Sequence, residues 1–367
     1  MLRHKRRKIK FLFGVLLLFK PVECLIFLSV FSRSGFLSLI KSSPFASNTL
    51  WNTSLLVKDS VKLPLRFLPV SGCWALKVTL SDEERNISYY AVLDSGSPFL
   101  TAPSTTMDVT TETRYPSTEE QYGESTGEIE WRKAPYLTLL GNSIIVETEN
   151  VVVGIVTSQK VVEQSGGIFL GLLEVDDNRP SFLEQVGGGQ YSSFTVSFAQ
   201  NYLQLRPGSV IHKKDPDSFP LVDLKPFGPD LHHFAIDCQK LKLAWSNGET
   251  EIVSTAKLKR SVLVVLDTGL TGCIFSESLY RELTGDNPGK HRSTLLGTTV
   301  SLQTQGKRTM ELTNSKQYWT FSSFRLPWFL DESNHPHIIA LGCTFWTNTK
   351  EMAIDTLSRR AKILLRE

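Results

Sequence analysis

The stretch VVLDTGLTGCIFS, residues 264–276, places one carboxylate, Asp267, at the end of an apolar run that is typical of a buried strand. A second stretch, YYAVLDSGSPFLTAP at residues 89–103, repeats the pattern around Asp94. Asp-Thr-Gly and Asp-Ser-Gly are ordinary turn sequences, so one copy alone indicates only that a strand ends. Two copies, each behind a β-rich apolar run, indicate a paired structural element.

The composition is that of a globular protein with room for two domains of ordinary size. The chain has 367 residues, of which 41% are hydrophobic and 21% are charged. Its 40 basic and 37 acidic residues give a net charge of +3, and the densest basic cluster, RHKRRKIK, lies at the extreme N-terminus. This balance argues against a nucleic-acid-binding protein, because such proteins concentrate basic residues on the folded surface.

Residues 1–46 are interpreted as a targeting segment. A basic stretch precedes the apolar run FLFGVLLLF, which is about half as long as a bilayer crossing requires and matches the hydrophobic region of a signal peptide. We therefore expect the chain to enter the secretory pathway. Two alternatives remain: a signal anchor, which would place Lys20 in the bilayer at a cost of about 2.5 kcal/mol or more, and an organelle presequence.

The cysteines and histidines do not follow a metal-binding spacing. The cysteines are Cys24, Cys73, Cys238, Cys273 and Cys343. None forms a C-x-x-C pair or has a histidine at ligand spacing, so we expect no metal and no organic cofactor. The pair His232-His233, on a predicted strand without an acidic or cysteine partner, is interpreted as structural.

Two further features fit a secretory route. If Cys24 leaves with a cleaved signal peptide, the other four cysteines permit up to two disulfides in an oxidising compartment, with a connectivity that the sequence leaves open. Glycosylation sequons begin at Asn52 and Asn86, although such triplets are common by chance.

Short segments rich in β-branched or aromatic residues and bounded by turn residues predict strands along most of the chain. These segments are CWALKVTL, ISYYAVL, PYLTLL, SIIVETENVVVGIV, SFTVSF, YLQLRP, HHFAIDC, LKLAW, SVLVVL, TVSLQT and KQYWTF. Helical periodicity is confined to SFLEQV and to SESLYREL, for which Ser276 is the candidate N-cap. The sequence therefore predicts an all-β protein with minor short helices.

A coarse repeat divides the chain into two halves. Each half contains one Asp-Ser/Thr-Gly motif and closes with an apolar-apolar-Gly element, FLG at 169–171 and ALG at 340–342. The connection RPGSVIHKKDPDSFP, rich in proline, serine and charge, lies between them. We expect an N-terminal β lobe over residues 47–207 and a C-terminal β lobe over residues 208–367.

The paired motifs and the ending ALGCTFWTNTKEMAIDTLSRRAKILL make residues 65–366 similar to the pepsin-like aspartic proteases. The resemblance implies a bilobal fold in which each lobe contributes one aspartate loop to a central cleft, with the apolar-apolar-Gly strands beneath. It implies an aspartic endopeptidase whose catalytic residues are Asp94 and Asp267. The expected partner is a polypeptide bound extended across the cleft of a monomeric protein, with membrane contact only through an uncleaved N-terminal segment.

The chemistry of such a site explains why an apolar strand would end in a carboxylate. Two carboxylates held about 3 Å apart cannot both ionise, so the pair shares one proton across acidic pH. One member takes a proton from water while the other donates a proton to the scissile carbonyl oxygen. By the resemblance, the residues that support the two loops are Ser95, Gly96, Ser97, Thr268 and Gly269. Ser97 is expected to hydrogen-bond Asp94, and the Ser95 and Thr268 hydroxyls to brace the loops.

Other positions resemble the family less closely. Tyr122-Gly123 is similar to the flap hairpin that closes over substrate, and the alternative is a surface hairpin with an incidental tyrosine. Thr101 replaces a tryptophan common in the family, and Leu270 replaces a serine or threonine. Loss of that hydroxyl is expected to raise the upper pKa of the dyad and move the optimum toward neutral pH. These departures leave a second interpretation open, a catalytically weak or inactive binding or inhibitory protein on the same fold.

Overall fold

The computed structural model describes residues 60–69, 71–122, 125–141, 145–159, 168–174, 178–227, 232–285, 295–314, 321–322 and 335–367. The predicted targeting segment and the sequon at Asn52 lie outside these residues. Asn86, the other sequon position, is exposed. Within the described ranges, no helix is long and apolar enough to cross a membrane.

The described chain consists mainly of strands, which confirms the predicted all-β class. The strands are β1 (Val61–Leu68), β2 (Cys73–Ser81), β3 (Asn86–Asp94), β4 (Thr101–Pro103), β5 (Thr111–Glu112), β6 (Thr118–Tyr122), β7 (Ser125–Leu140), β8 (Ile145–Gln159), β9 (Phe169–Gly171), β10 (Tyr191–Ser197), β11 (Tyr202–Pro207), β12 (Phe219–Pro220), β13 (Ala235–Trp245), β14 (Thr250–Ser254), β15 (Val262–Leu266), β16 (Cys273–Phe275), β17 (Leu295–Gln303), β18 (Thr309–Thr313), β19 (Phe321–Ser322), β20 (His337–Leu341), β21 (Thr349–Asp355) and β22 (Arg360–Leu365).

Helices are short. The α-helices are α1 (Phe182–Gln185), α2 (Glu277–Thr284) and α3 (Cys343–Trp346), and 3-10 turns lie at Ser104–Val109, Val186–Gly189, Lys225–Phe227 and Thr255–Lys257. Ser276 occupies the N-cap position of α2 as predicted, but its hydroxyl makes no cap bond. Instead it accepts a hydrogen bond from Ile338 N at 3.1 Å, because β20 brings a competing donor to the same oxygen.

Two predicted strand boundaries differ from the structure. The segments HHFAIDC and LKLAW both contribute to one strand, β13, which begins at Ala235 and crosses a β-bulge between Cys238 and Lys240. A bulge inserts one extra residue without ending the strand, so the two predicted segments are continuous. PYLTLL is the end of the much longer β7, and KQYWTF lies largely outside the described residues.

The described strands form two sheets. One has the central order β12-β22-β21-β10-β11-β1-β2-β7-β8-β4, with β3, β5, β6 and β9 paired alongside. The other has the order β18-β17-β13-β15-β20-β16-β19, with β14 paired to β13. The last strands of the chain, β21 and β22, join the first sheet through the pairing of β21 with β10. The lobe boundary between residues 207 and 208 stays a prediction.

Each aspartate strand pairs in parallel with an apolar-apolar-Gly strand. Asp94 in β3 lies opposite Gly171 in β9, and Leu266 in β15 lies opposite Leu341 in β20. Every residue of β9, β15 and β20 is buried, as expected for parallel strands covered on both faces. The coarse repeat of the sequence therefore corresponds to a repeated arrangement of strands.

The glycines that close the two elements allow a close approach of backbones. A Cβ placed on Gly171 would lie 2.5 Å from Phe99 N, and a Cβ placed on Gly342 would lie 2.8 Å from Leu270 C. Gly171 N donates to Phe99 O at 3.0 Å and Gly342 N donates to Gly272 O at 2.8 Å. Only glycine leaves room for each aspartate loop to pack on the strand beneath it.

Candidate active site

The two aspartate loops bring the carboxyl groups of Asp94 and Asp267 together. A hydrogen bond joins the two side chains. Each carboxyl group also packs against the glycine of the opposite loop: a Cβ on Gly96 would lie 2.7 Å from Asp267 Oδ2, and a Cβ on Gly269 would collide with the Asp94 carboxyl group. A side chain at either position would push the carboxyl groups apart. Asp94 is buried, whereas Asp267 is partly exposed.

A reciprocal set of hydrogen bonds braces the two loops. Ser95 N donates to Thr268 Oγ1 at 3.0 Å, and Thr268 N donates to Ser95 Oγ at 3.0 Å. Each hydroxyl then donates to the carbonyl that precedes the opposite aspartate, Ser95 Oγ to Leu266 O and Thr268 Oγ1 to Leu93 O, both at 2.8 Å. Because every donor and acceptor is paired in the interior, the brace holds the two loops in one relative position.

Backbone amides orient the two carboxylates unequally. Asp94 Oδ1 accepts from Gly96 N at 2.7 Å. Asp267 Oδ1 accepts from both Gly269 N at 2.8 Å and Leu270 N at 3.1 Å. Hydrogen bonds from N–H groups favour the ionised carboxylate, so Asp267 is the better site for the negative charge.

The electrostatics of the pair agree with this asymmetry. Burial, followed by the neighbouring Asp267 charge, raises the pKa of Asp94 well above its ordinary value, and the Gly96 N–H opposes the rise only partly. Burial also raises the pKa of Asp267, but its two backbone donors and the hydrogen bond from Asp94 hold that pKa lower. Because the two groups titrate together, the pair retains one shared proton to a higher pH than an ordinary carboxyl group would.

The backbone of Asp267 is held from below by residues near the end of the chain. Trp346, fully buried in α3, donates from Nε1 to Asp267 O at 3.0 Å. Cys343 Sγ contacts Thr268 O at 3.1 Å, and Cys73 Sγ, which lies 3.9 Å from Gly269 O, also meets Cys343. These thiols pack under the loop.

The disulfides that the sequence permits are not formed among the described cysteines, all four of which are buried free thiols. The described ranges also contain no group of three or more histidine, cysteine, aspartate or glutamate side chains that could hold a metal ion.

Two expected roles, that of Ser97 at Asp94 and that of Tyr122-Gly123 in a flap, have different outcomes. The structure does not bring the Ser97 hydroxyl into a hydrogen bond with Asp94. Ser97 instead accepts at its carbonyl from Leu173 N at 3.1 Å, which ties the loop to the chain after β9. Tyr122 is the last residue of β6 and lies opposite Ser125 in the β6–β7 hairpin. Gly123 lies outside the described residues, so the flap role of Tyr122-Gly123 stays a prediction.

Thr101 has a structural contact in place of the tryptophan common in the family. Its side chain is buried, and Thr101 Oγ1 accepts from Phe169 N at 2.6 Å. This bond connects β4 to β9, two residues before the glycine that supports the Asp94 loop. The sequence could not have indicated this contact, because a single threonine in a strand does not reveal its hydrogen-bond partner.

An aromatic cluster at the base of the β6–β7 hairpin was not predicted. Trp131 in β7 donates from Nε1 to Thr118 Oγ1 at 2.8 Å, and its ring meets Phe99 edge to face at 4.9 Å. Arg179 lies 4.4 Å from both ring centroids and forms an ion pair with Glu120 at 2.9 Å. Phe99 belongs to the first aspartate loop, so the cluster connects that loop to the hairpin. Local sequence patterns do not reveal contacts between residues so far apart along the chain, so this cluster could not be predicted from the sequence.

Comparisons with known proteins give a likeness in structure. No protein-family model and no curated protein matches the sequence. Among solved structures, the aspartic proteinase from Irpex lacteus superposes with a TM-score of 0.52 at 14% sequence identity, covering 84% of this chain and 98% of that chain. The chain has the bilobal, pepsin-like fold. At this identity the likeness shows the architecture alone, so the function has to be inferred from the site.

Within the pepsin-like fold, the brace between the loops should depend on the Thr268 hydroxyl. Thr268→Val keeps the shape but leaves Ser95 N and Leu93 O without a partner, so the free energy of unfolding should fall by about 2 kcal/mol or more. Thr268→Ser keeps the hydroxyl and should cost about 1 kcal/mol through the lost methyl group. Urea unfolding of both variants measures the difference, and equal losses would contradict a role for the hydroxyl.

Proposed function

We propose that the protein is an aspartic endopeptidase in which Asp94 and Asp267 activate a water molecule for peptide-bond hydrolysis. The observation that supports this function is the pair of adjoining carboxyl groups that share a hydrogen bond between two braced loops. Burying carboxyl groups side by side costs stability, since both desolvation and mutual repulsion oppose their charge. A chain that keeps such a pair, with glycines shaped to admit it, is better explained by chemistry than by packing.

The asymmetry of the pair assigns the two roles. Asp267, with two backbone donors and partial exposure, is the ionised member and takes a proton from the attacking water. Asp94, buried and protonated, donates its proton to the carbonyl oxygen of the scissile bond. Both groups exchange roles as the tetrahedral intermediate breaks down, so the shared proton is restored. The reaction requires no covalent intermediate.

The proposed substrate is a polypeptide in an extended conformation, with apolar side chains favoured beside the cleaved bond. The pepsin-like architecture supports this class of substrate, because the two aspartate loops come from different halves of the chain and contact each other through the Ser95–Thr268 hydrogen bonds. The proposal also keeps the secretory pathway as the destination, on the basis of the N-terminal segment, and a monomer as the functional unit.

The test is cleavage of a denatured protein mixture by the full chain from about pH 3 to about pH 7.5, with and without a statine-containing transition-state mimic. Cleavage that the mimic blocks, and that a chelator does not, supports the aspartic mechanism. Cleavage insensitive to the mimic would refute it. A folded protein that binds the mimic and cuts nothing would instead be a peptide-binding protein on the same scaffold.

The pH dependence should reflect Leu270. Activity needs one protonated and one ionised carboxyl group, and both pKa values are raised, so the active range should reach further toward neutral pH than the ordinary carboxyl value allows. Leu270→Thr adds a donor that favours the ionised pair, which lowers its upper pKa and should move the alkaline limb of kcat/KM down by about one pH unit. Leu270→Val is the control of equal shape. Coincident profiles for the two variants would contradict this explanation.

A further inference from the structure

Cys73 and Cys343 come from different halves of the chain and meet under the second aspartate loop. Cys73 begins β2, and Cys343 begins α3, directly after the ALG element. The two side chains form a hydrogen bond with each other, and Trp74 N donates to Cys343 Sγ. Cys73 Sγ lies 3.9 Å from Gly269 O, and Cys343 Sγ lies 3.1 Å from Thr268 O. Two consecutive carbonyl groups of the loop therefore lie beside two adjoining sulfur atoms.

The segments that carry the two cysteines are both fastened to Thr271. Its hydroxyl Oγ1 donates to Ser71 O at 2.8 Å, in the turn before β2, and lies 3.6 Å from Cys73 Sγ. Its carbonyl accepts from Thr344 N at 3.0 Å, in the residue that follows Cys343. These contacts hold the two segments side by side, although they lie far apart in the sequence. The meeting of the thiols is therefore built into the packing of the two halves.

The other two described cysteines have different surroundings. Cys238 Sγ on β13 lies 3.5 Å from Lys240 O and 3.9 Å from Ser301 O. Burial alone raises the pKa of Cys273 on β16. Among the described residues, neither of these cysteines has a thiol as a neighbour. The connectivity that the sequence leaves open is thus reduced to one candidate pair in this part of the chain.

Burial makes each of these thiols the nearest reactive partner of the other. Cys73 is 1% exposed and Cys343 is 0% exposed, so a molecule from the solvent does not reach either sulfur in the folded protein. Burial, followed by the adjoining Cys73 thiol, raises the pKa of Cys343, and the thiolate that attacks a disulfide is therefore scarce in the folded state. Reaction of the pair with an external oxidant has to take place during folding, before the two sulfur atoms are covered.

We propose that Cys73 and Cys343 are a modification site, at which a disulfide joins the two halves of the chain under the second aspartate loop when the protein folds in an oxidising compartment. The inference goes beyond the proposed function and does not require hydrolysis. Its setting is the predicted secretory route, where disulfides form and persist. The bond closes the span from residue 73 to residue 343, and a cross-link over so long a span strongly restricts the unfolded chain. The structure with free thiols describes the reduced form.

The oxidant is a small or protein disulfide, such as oxidised glutathione or an oxidised thiol–disulfide oxidoreductase. The thiolate of one cysteine attacks a sulfur of this disulfide, forms a mixed disulfide and expels one thiolate. The thiolate of the second cysteine then attacks the cysteine sulfur of the mixed disulfide, forms the Sγ–Sγ bond and expels the other thiolate. Two electrons pass from the cysteine pair to the oxidant, and the two thiol protons pass to the two thiolates that leave.

The test begins with the full chain, unfolded and reduced, which is refolded either with reductant or in a buffer of reduced and oxidised glutathione. Free thiols are alkylated in denaturant, and the peptides are mapped by mass spectrometry without reduction. We expect the glutathione sample to contain the Cys73 peptide joined to the Cys343 peptide, with Cys238 and Cys273 alkylated. If Cys73 and Cys343 are alkylated in the folded protein, or are joined to glutathione or to another cysteine, the proposal is wrong. Protein secreted by cultured cells is mapped in the same way where refolding in vitro fails.

Thermal unfolding measures the effect of the bond. The melting temperature of the oxidised wild type should exceed that of the reduced wild type by about 5 °C or more. Cys343→Ala should show no such difference, whereas Cys238→Ala, which also removes a buried thiol, should keep it as the matched control. Each variant is compared with itself in the two buffers, so the packing lost with the thiol cancels. An equal difference in Cys343→Ala and the wild type would contradict the proposed pair.

The outcomes separate this disulfide from the hydrolytic function, because the peptide map does not depend on cleavage of a substrate. A mapped bond in a protein that cuts nothing would refute the endopeptidase and retain the disulfide. Cleavage by a protein in which both thiols stay free after oxidative folding would retain the endopeptidase and refute the disulfide.

Discussion

Replacing Asp267 with asparagine should abolish peptide-bond hydrolysis without unfolding the protein. The amide keeps the shape of the carboxyl group but cannot take a proton from water, so kcat should fall by about 10⁴-fold or more, as for other groups that act as a unit. Asp94→Asn should be equally inactive, because an amide cannot donate the proton that the carbonyl oxygen requires. The double variant should lose no more than either single variant.

Asp237→Asn is the matched control, since Asp237 is an exposed carboxylate on β13 and should have wild-type kcat/KM. Initial rates on one peptide, with contaminating proteases excluded by the statine-containing mimic, measure all four variants. Residual activity of either dyad variant within tenfold of the wild type would show that the carboxyl pair does not perform the chemistry. Inactivity of Asp237→Asn would show that the preparation, and not the site, is at fault.

Asp94→Asn should be more stable than the wild type at neutral pH. Its folded-state pKa is raised well above the ordinary value of 3.8, so the native state binds more protons than the unfolded state once the pH exceeds that value. The favourable contribution is complete below pH 3.8 and is lost as the pH rises through the folded-state pKa. Asp94→Asn removes this loss. Its melting temperature should exceed that of the wild type near pH 7 and approach it near pH 3, and a constant difference would contradict the raised pKa.

The second large effect is expected at Gly171. A Cβ at this position would lie 2.5 Å from both Phe99 N and Pro98 C, and these backbone atoms belong to the loop that β9 supports. Relief requires the loop and the strand to separate, which would also break the bond from Leu172 N to Asp94 O at 2.9 Å. Gly171→Ala should therefore lower the free energy of unfolding by about 4 kcal/mol or more, a loss large enough to prevent folding in a marginally stable domain.

Gly297→Ala is the control for this substitution. Gly297 also lies in a strand, β17, but the nearest atom to its added Cβ is 3.6 Å away. The substitution should change the free energy of unfolding by about 1 kcal/mol or less, with a stabilising sign because alanine restricts the unfolded chain. Urea unfolding compares the two variants. If both behave alike, close packing under the Asp94 loop is not what Gly171 provides.

Short-range patterns were sufficient to predict the class of the fold. Alternating or continuous apolar segments predicted the strands, because a strand has to match its side-chain period to the face that it buries. The pairing of the two motifs was also visible in the sequence, since each half repeats a strand, an aspartate turn and an apolar-apolar-Gly element. Asp94 and Asp267 could be chosen from all acidic residues for that reason.

Contacts between distant segments had no comparable signal. Trp131 and Arg179 join the first aspartate loop to the hairpin only because separate segments of the chain end at the same place. Ser276 illustrates the opposite error: its sequence context predicted a helix cap, but a neighbouring strand supplied a different partner. In each case the free energy of the contact depends on which polar groups the fold brings within about 3 Å of each other, and local sequence does not contain that information.

The amino-acid sequence alone was enough to predict the all-β class and the repeat that places one aspartate motif in each half, because these features follow from the periodicity and spacing of residues that are close along the chain. The pairing of β21 with β10, the unequal donors to the two carboxyl groups and the contact of Trp346 with Asp267 became visible only in the folded chain. They arise from burial and hydrogen bonding between segments far apart in sequence, where the free energy belongs to the assembled contact and to no single segment.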